Sequence, residues 1–288
     1  MHDIYILGSG AMGSLWASYF YPQHSLHFIQ RHTNNNLYSF DVLPYAKQVT
    51  GQSILAQDIC NPIQYLVIAT KAYDAFDAIN SVKPHLNDES QVILLQNGLG
   101  SQQRISEAFP DIKLYACSST EGAYKKDPHT LMHAGIGVNS IGALNGHEQK
   151  DELKQWLPDT YFEWHDNIQQ VMWRKFMINC AINPLTVLYN CQNGILVEND
   201  DYLSHMQRIC EEIDKITEKL NYSLDNAFEL AQNVCKSTAN NFSSMLQDHR
   251  KQQPTEIQFM TGYLLQQAEA LGLSCPENQA LYQKLTCA

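Results

Sequence analysis

Along the first half of the chain, short apolar runs alternate with segments that can be helical. DIYILG (3–8), SLHFI (25–29), YLVIAT (65–70) and QVILLQ (91–96) have the length and content of buried strands. Residues 11–20, 73–83 and 101–109, after the first, third and fourth of these, can form helices. Such alternation predicts a parallel sheet covered on both faces. Residues 113–142 add KLYACSS, TLMHAG and VNSIGAL as further strands, and a polar helix at about 147–157 and a short strand at YFEW close this part. From about residue 168 the pattern changes. Residues 168–190, 201–220, 225–236, 243–251, 255–271 and 276–286 read as helices, with stops at Asn193-Gly194 and Gly272 and with Pro276 opening the last. The expectation is an α/β domain over 1–166 followed by an all-helical domain over 167–288.

Composition narrows the partners. The 288 residues are 44% hydrophobic, which suits a globular protein with one or two sizeable cores. A net charge of −11 with no long basic run argues against nucleic acid as a partner. No apolar run approaches the roughly 18 residues needed to span a membrane. The strand-like run beginning at Ile4 leaves no room for a signal peptide, so a cytoplasmic protein is expected. The eight cysteines form no CxxC pair and no cluster with zinc spacing, which predicts reduced, mostly buried thiols and no metal site.

Gly8-Ser9-Gly10-Ala11-Met12-Gly13 matches G-x-G-x-x-G directly after the first strand and at the start of the first helix. In that context the pattern binds a dinucleotide. The first glycine allows a tight turn and the second the approach of a pyrophosphate. The third lets helix and strand pack closely, with the helix amides facing the phosphates. An NAD-specific site would place an acid at the end of the second strand to take the ribose 2′-hydroxyl. Here the strand ends FIQRH, and no Asp or Glu occurs between Asp3 and Asp41. Arg31 stands in the acid's place, and a guanidinium can clasp a 2′-phosphate that a carboxylate would repel. NADPH is therefore the expected cofactor. Lys71 and Asn97 follow the third and fourth strands on the same carboxyl edge, where open α/β sheets bind their ligands.

In the helical half, WRKFMINCAINPL (173–185) places Lys175, Asn179 and Asn183 at intervals of four. Each step turns about 40° at roughly 100° per residue, so the three form one polar stripe on an otherwise apolar helix. A second polar group comprises Ser243, Ser244, Gln247, Asp248 and Glu256, the last at the start of a helix. Taken singly, each has a structural alternative: Lys175 reaching solvent, Ser243 capping a helix, Glu256 complementing a helix N-terminus.

From YILGSGAMGS through LLQNGLG to PENQALY, the chain resembles the ketopantoate reductase (2-dehydropantoate 2-reductase) family. The blocks WRKFMINCAINPLTVLYNCQNGIL and NFSSMLQDHRKQQPTEIQFMTGYLL carry most of that resemblance. It implies a Rossmann-type cofactor domain, a helical substrate domain and an active site in the cleft between them. The implied reaction is NADPH-dependent reduction of a small-molecule 2-oxo acid, ketopantoate, to (R)-pantoate, on the route to pantothenate and coenzyme A. By position, Lys175 corresponds to the catalytic lysine, and Glu256 to an acid near both the substrate hydroxyls and the cofactor. Asn97, Asn179, Asn183, Asn193 and Ser244 correspond to substrate positions. Gly8, Ser9, Gly10, Ala11, Met12, Gly13, Arg31, Lys71, Asn97, Ala123 and Glu256 correspond to NADPH/NADP+ positions. Two other readings stay open: a related NADPH-dependent reductase of another 2-oxo acid, and a non-catalytic NADP-binding regulator. Apolar faces on the helical domain could support a homodimer.

Overall fold

Alternate side chains of the first strand, β1 (Asp3–Leu7), enter two different cores, as expected of a strand buried on both faces. Ile4 and Ile6 pack with Leu15, Trp16 and Phe20 of helix α1 (Ala11–Phe20). Tyr5 and Leu7 pack on the other side. The computed structural model describes residues 1–32, 36–146, 150–158 and 160–287. The chain divides into two units, Met1–Asn97 with Ser101–Val171, and Gly98–Gly100 with Met172 onward.

The first unit continues with β2 (Ser25–Gln30), β3 (Leu37–Leu43), β4 (Lys47–Leu55), β5 (Tyr65–Ile68), α2 (Ala72–Val82) and β6 (Gln91–Leu94). It ends with α3 (Ser101–Ala108), β7 (Lys113–Ser119), β8 (Gly122–Asp127), β9 (Thr130–Gly135), β10 (Asn139–Ala143), α4 (Lys150–Leu153) and β11 (Phe162–Trp164). Among the described residues these form one sheet, in the order β11-β10-β7-β6-β5-β1-β2-β4-β3-β9-β8. Neighbours from β7 to β4 all pair in parallel, which is the doubly wound arrangement the alternation predicts. Beyond that core the sheet is mixed: β10 joins β7 and β3 joins β4 antiparallel. Ile79 of α2 and Ile105 of α3 cover the second face with Leu66, Ile68 and Leu94, which holds both helices against the strand ends.

The hairpin β3–β4 and the strand β8 were not foreseen: β4 also lies parallel to the distant β2 and β3 to the distant β9, while β8 is an irregular edge strand paired antiparallel with β9. The helix expected at about 147–157 is confined to Lys150–Leu153 within the described residues, and residues 147–149 of that expectation lie outside them.

The second unit takes most of α5 (Ile168–Tyr189) and then α6 (Ile195–Glu198), α7 (Asp200–Lys219), α8 (Ala227–Ser237), α9 (Ser244–Arg250), α10 (Thr261–Ala270) and α11 (Pro276–Thr286). Phe176, Met177, Cys180, Ile213, Leu246 and Leu264 are fully buried in it. Asn199, Asn226 and Ser243 cap α7, α8 and α9 through side-chain oxygens that accept backbone amides. The buried Glu212 accepts the amides of Glu277 and Asn278 at the start of α11, where a negative charge meets the positive end of the helix. Helix α5 ends at Tyr189, matching the expected 168–190, with Asn190 in the left-handed region at φ 47° just after it, and Asn193-Gly194 separates it from α6. Gly272 (φ 67°) follows α10 and Pro276 opens α11, as the sequence suggests.

All eight cysteines are free, and burial pushes the Cys275 thiol up to about 11 and the Cys235 thiol to about 12. Such thiols are poor nucleophiles at neutral pH.

Candidate active site

The glycine loop is built by contact distances. Gly8 has φ 105°, and a side chain there would lie 2.7 Å from the Ala69 carbonyl carbon. A Cβ on Gly13 would lie 1.9 Å from the Gly8 carbonyl oxygen, so α1 can approach the strand ends only as glycine. Gly10 differs: a Cβ there would meet nothing within 4 Å, and as N-cap of α1 it provides no side-chain hydrogen bond. The first amides of α1 thus have no side-chain cap to compete with a phosphate, and the space beside Gly10 is open. Ser9 is anchored to the end of β2 through Gln30, whose Nε2 donates to Ser9 Oγ at 3.0 Å. Ala11 and Met12 are half-buried at the start of the helix.

The neighbouring strand ends carry more polar atoms. Thr70 follows β5 and Gln96 follows β6. Gln96 Nε2 donates to the carbonyls of Ile68 (3.0 Å) and Thr70 (3.2 Å). Thr70 Oγ1 and Gln96 Oε1 are buried without a hydrogen-bond partner among the described residues. Buried acceptors and hydroxyls are costly to leave unmatched, so such atoms commonly await a ligand. Lys71 is the N-cap of α2, Asn97 lies three residues past β6, and both are half-buried; Ala123 is half-buried on β8. A glycine cradle, a helix start without a side-chain cap and unmatched polar atoms on one sheet edge fit a dinucleotide.

Arg31 comes directly after β2 with its side chain 78% exposed, and its Nη2 lies 2.8 Å from Asp74 Oδ2 in the first turn of α2. Arg31, Asp74, Gln30, Thr70 and Asp77 line a cavity of about 590 Å³. Sequence reasoning missed Asp74. The signal available was an acid three residues after Lys71, in a helix opening on the carboxyl edge.

In the helical unit, α5 presents the stripe as a gradient. Lys175 and Asn179 are half-buried and Asn183 is buried, while Trp173, Phe176, Met177 and Cys180 fill the core. Trp173 packs on Phe176 (5.1 Å between rings) and on Tyr222 (5.3 Å), an aromatic cluster that anchors this stretch of α5. Asn183 Nδ2 lies 3.8 Å from Met260 Sδ. The helix expected over 255–271 is broken there: a 3-10 turn spans Ile257–Phe259, and Met260 (φ −112°, ψ −97°) interrupts it before α10. Glu256, buried, therefore stands at the N-cap of a short turn and not at the start of a long helix. The amide of Leu99 donates to the Phe259 carbonyl of that turn at 3.0 Å.

Asn193 is buried, with its Nδ2 donating to Thr238 Oγ1 at 2.9 Å and its Oδ1 left without a partner among the described residues. Ser244 is exposed at the first position of α9. Its neighbour Ser243 is the cap the sequence allows, and its hydroxyl also meets Thr186 Oγ1 at 2.6 Å. Thr186 in turn donates to the Asn183 carbonyl at 2.7 Å. This chain of contacts, unread in the sequence, ties α9 to the polar face of α5. Among the described residues no group of three His, Cys, Asp or Glu side chains could hold a metal ion, and no helix is long and apolar enough to cross a membrane.

Residues 4–146 match the family model described as "Ketopantoate reductase PanE/ApbA", and residues 167–287 match "Ketopantoate reductase PanE/ApbA C terminal". The 2-dehydropantoate 2-reductase of Yersinia pestis is 33% identical, over 97% of this chain and 93% of that protein. A probable 2-dehydropantoate 2-reductase from Bacillus subtilis superposes with a TM-score of 0.82 at 24% identity, covering 99% of each chain. A D-mandelate dehydrogenase solved with NADH and anilino(oxo)acetate shares the fold, at TM-score 0.84 and 18% identity, over 98% of this chain and 96% of its own.

Proposed function

The chain belongs to the ketopantoate reductase family, and we propose that it uses NADPH to reduce 2-dehydropantoate to (R)-pantoate on the route to pantothenate and coenzyme A. The observation that carries this reading is the polar stripe of α5, where Lys175 and Asn179 stay half-buried beside a fully buried Phe176 and Met177. Amide and ammonium groups aligned along one face of an apolar helix are the donors and acceptors that a small hydroxy- or oxo-acid requires.

Reduction of a 2-oxo acid needs a hydride, a proton for the nascent alkoxide and groups that hold the carboxylate. When bound, the nicotinamide supplies the hydride. Gly8 to Gly13, Arg31, Lys71, Asn97 and Ala123 hold the cofactor. Lys175 Nζ hydrogen-bonds the ketone oxygen, opposes the negative charge that develops on it and delivers the proton. Asn97, Asn179, Asn183, Asn193 and Ser244 hold the substrate, because each side-chain amide, like the serine hydroxyl, both donates and accepts and so suits a hydroxyl-bearing acid. Glu256 orients the substrate hydroxyl near the cofactor. Residues 1–166 serve as the cofactor domain and 167–288 as the substrate domain. A homodimer in the cytoplasm is the setting proposed for it; a dimeric ketopantoate reductase from Staphylococcus aureus has the same fold.

The test is NADPH oxidation with ketopantoate, pyruvate and branched 2-oxo acids, in wild type and in Lys175→Ala. We expect ketopantoate to be preferred and the variant to lose at least about a hundredfold in kcat with NADPH affinity nearly intact. Near-normal kcat in Lys175→Ala would remove the lysine from proton delivery, and preference for another acid would reassign the substrate.

A further inference from the structure

We infer that Asp74 is a second reader of the ribose 2′ position, so that this chain binds NADH as well as NADPH. The inference rests on the reading of Arg31 as the 2′-phosphate ligand. It starts from the absence of an acid after β2. In an NAD-specific site that acid takes the 2′-hydroxyl. Here a carboxylate reaches the same place from a different element: Asp74 Oδ2 lies 2.8 Å from Arg31 Nη2, and both side chains line one cavity with Gln30 and Thr70 at the strand ends. Asp74 is fixed there, because its amide closes the first turn of α2 onto the Lys71 carbonyl at 3.0 Å. Asp77, one turn further along α2, adds a second carboxylate to the same wall.

The pair has two consequences. First, Arg31 is not a committed phosphate ligand, because a 2′-phosphate must draw the guanidinium away from Asp74 and then lie beside that carboxylate. The exchange is cheap, since the Arg31 side chain is 78% and that of Asp74 38% exposed, and exposed ion pairs hold weakly. It still lowers the advantage that the phosphate would gain from an unopposed arginine. Second, a ribose with a free 2′-hydroxyl finds an acceptor ready in Asp74, and Arg31 need not move away from a neutral group. The two residues therefore discriminate by exchanging partners: Arg31 with the phosphate for NADPH, Asp74 with the hydroxyl for NADH.

The experiment is calorimetric titration with NADPH and NADH, without any oxo acid, of wild type, Asp74→Asn and Arg31→Ala. Wild type should bind both cofactors with affinities within about tenfold of each other. Asp74→Asn should weaken NADH by about tenfold, the loss of one charge-assisted hydrogen bond, and tighten NADPH. Undetectable NADH binding by wild type would overturn the inference. So would an Asp74→Asn variant in which both affinities stay within twofold, or fall equally. Arg31→Ala separates the two readings: NADPH affinity should fall with NADH unchanged, and an unchanged NADPH affinity would refute the phosphate assignment while leaving the Asp74 result to stand or fall on the NADH titration.

Discussion

Two glycines three positions apart, Gly10 and Gly13, should respond to the same substitution in opposite ways. Alanine at 13 places a carbon 1.9 Å from the Gly8 carbonyl oxygen and 3.0 Å from Ala69 Cβ, inside a region where Leu15 and Trp16 are fully buried. Relief needs α1 to move by more than an ångström, and overpacking of this kind costs about 1–3 kcal/mol, of which alanine's better helix propensity returns about 1. Gly13→Ala should therefore lose up to about 2 kcal/mol of stability and bind cofactor poorly. Alanine at 10 meets nothing within 4 Å, and φ −67° is a conformation it adopts freely. Its smaller unfolded-state entropy and its poorer capping nearly cancel, so stability should stay within about 0.5 kcal/mol. The methyl would instead fill the space that a pyrophosphate needs. Losing a single charged hydrogen bond to the amides of α1 would weaken NADPH about tenfold or more. Urea unfolding followed by tryptophan fluorescence, with Trp16 adjacent as a reporter, measures the first effect, and calorimetric titration with NADPH the second. A Gly10→Ala protein with wild-type NADPH affinity would refute the phosphate cradle, and a Gly13→Ala protein more stable than wild type would refute the packing argument.

Two further outcomes are expected. Thr186→Val removes the hydroxyl that meets both the Asn183 carbonyl and Ser243 Oγ, and should cost about 1–3 kcal/mol in urea unfolding; a neutral result would mean that the contact does not stabilise the α5–α9 packing. Burial, reinforced by Arg208, holds His205 below its ordinary 6.5, and His24 is lowered by burial and by His2. Their folded pKa values are depressed, so the folded state resists their protonation. The associated stability is present above pH 6.5 and is lost as pH falls from there towards the folded values. The urea midpoint should drop between pH 7 and 5.5, and His205→Gln should flatten that drop; a midpoint that rises over the same interval would contradict the assignment.

Much of the first unit was legible because its signals are local. A buried strand followed by G-x-G-x-x-G and an apolar helix needs only neighbouring residues to be recognised, and the parallel core appeared as read. The β3–β4 hairpin was not legible, since its strands are defined by partners such as Phe28↔Ser53 and Val42↔Leu131 that lie far away in the chain. In the helical unit the stripe of Lys175, Asn179 and Asn183 followed from spacing alone. The break at Met260 did not, because apolar periodicity runs through it and only the backbone angles reveal the interruption. The Arg31–Asp74 pair joins residues 43 positions apart in the sequence, and no pattern of spacing announces it.

The bond from Leu99 to Phe259 has a consequence for how such a chain can be cut or inherited. Residues 98–100 belong with the helical unit although they lie some seventy positions before the rest of it, and Leu99 is only 7% exposed there. A fragment beginning at residue 167 would leave the Phe259 carbonyl unmatched and expose the apolar seat of Leu99. The helical unit is therefore not a portable cassette: recombination that exchanged it between relatives as one contiguous stretch would leave three of its residues behind.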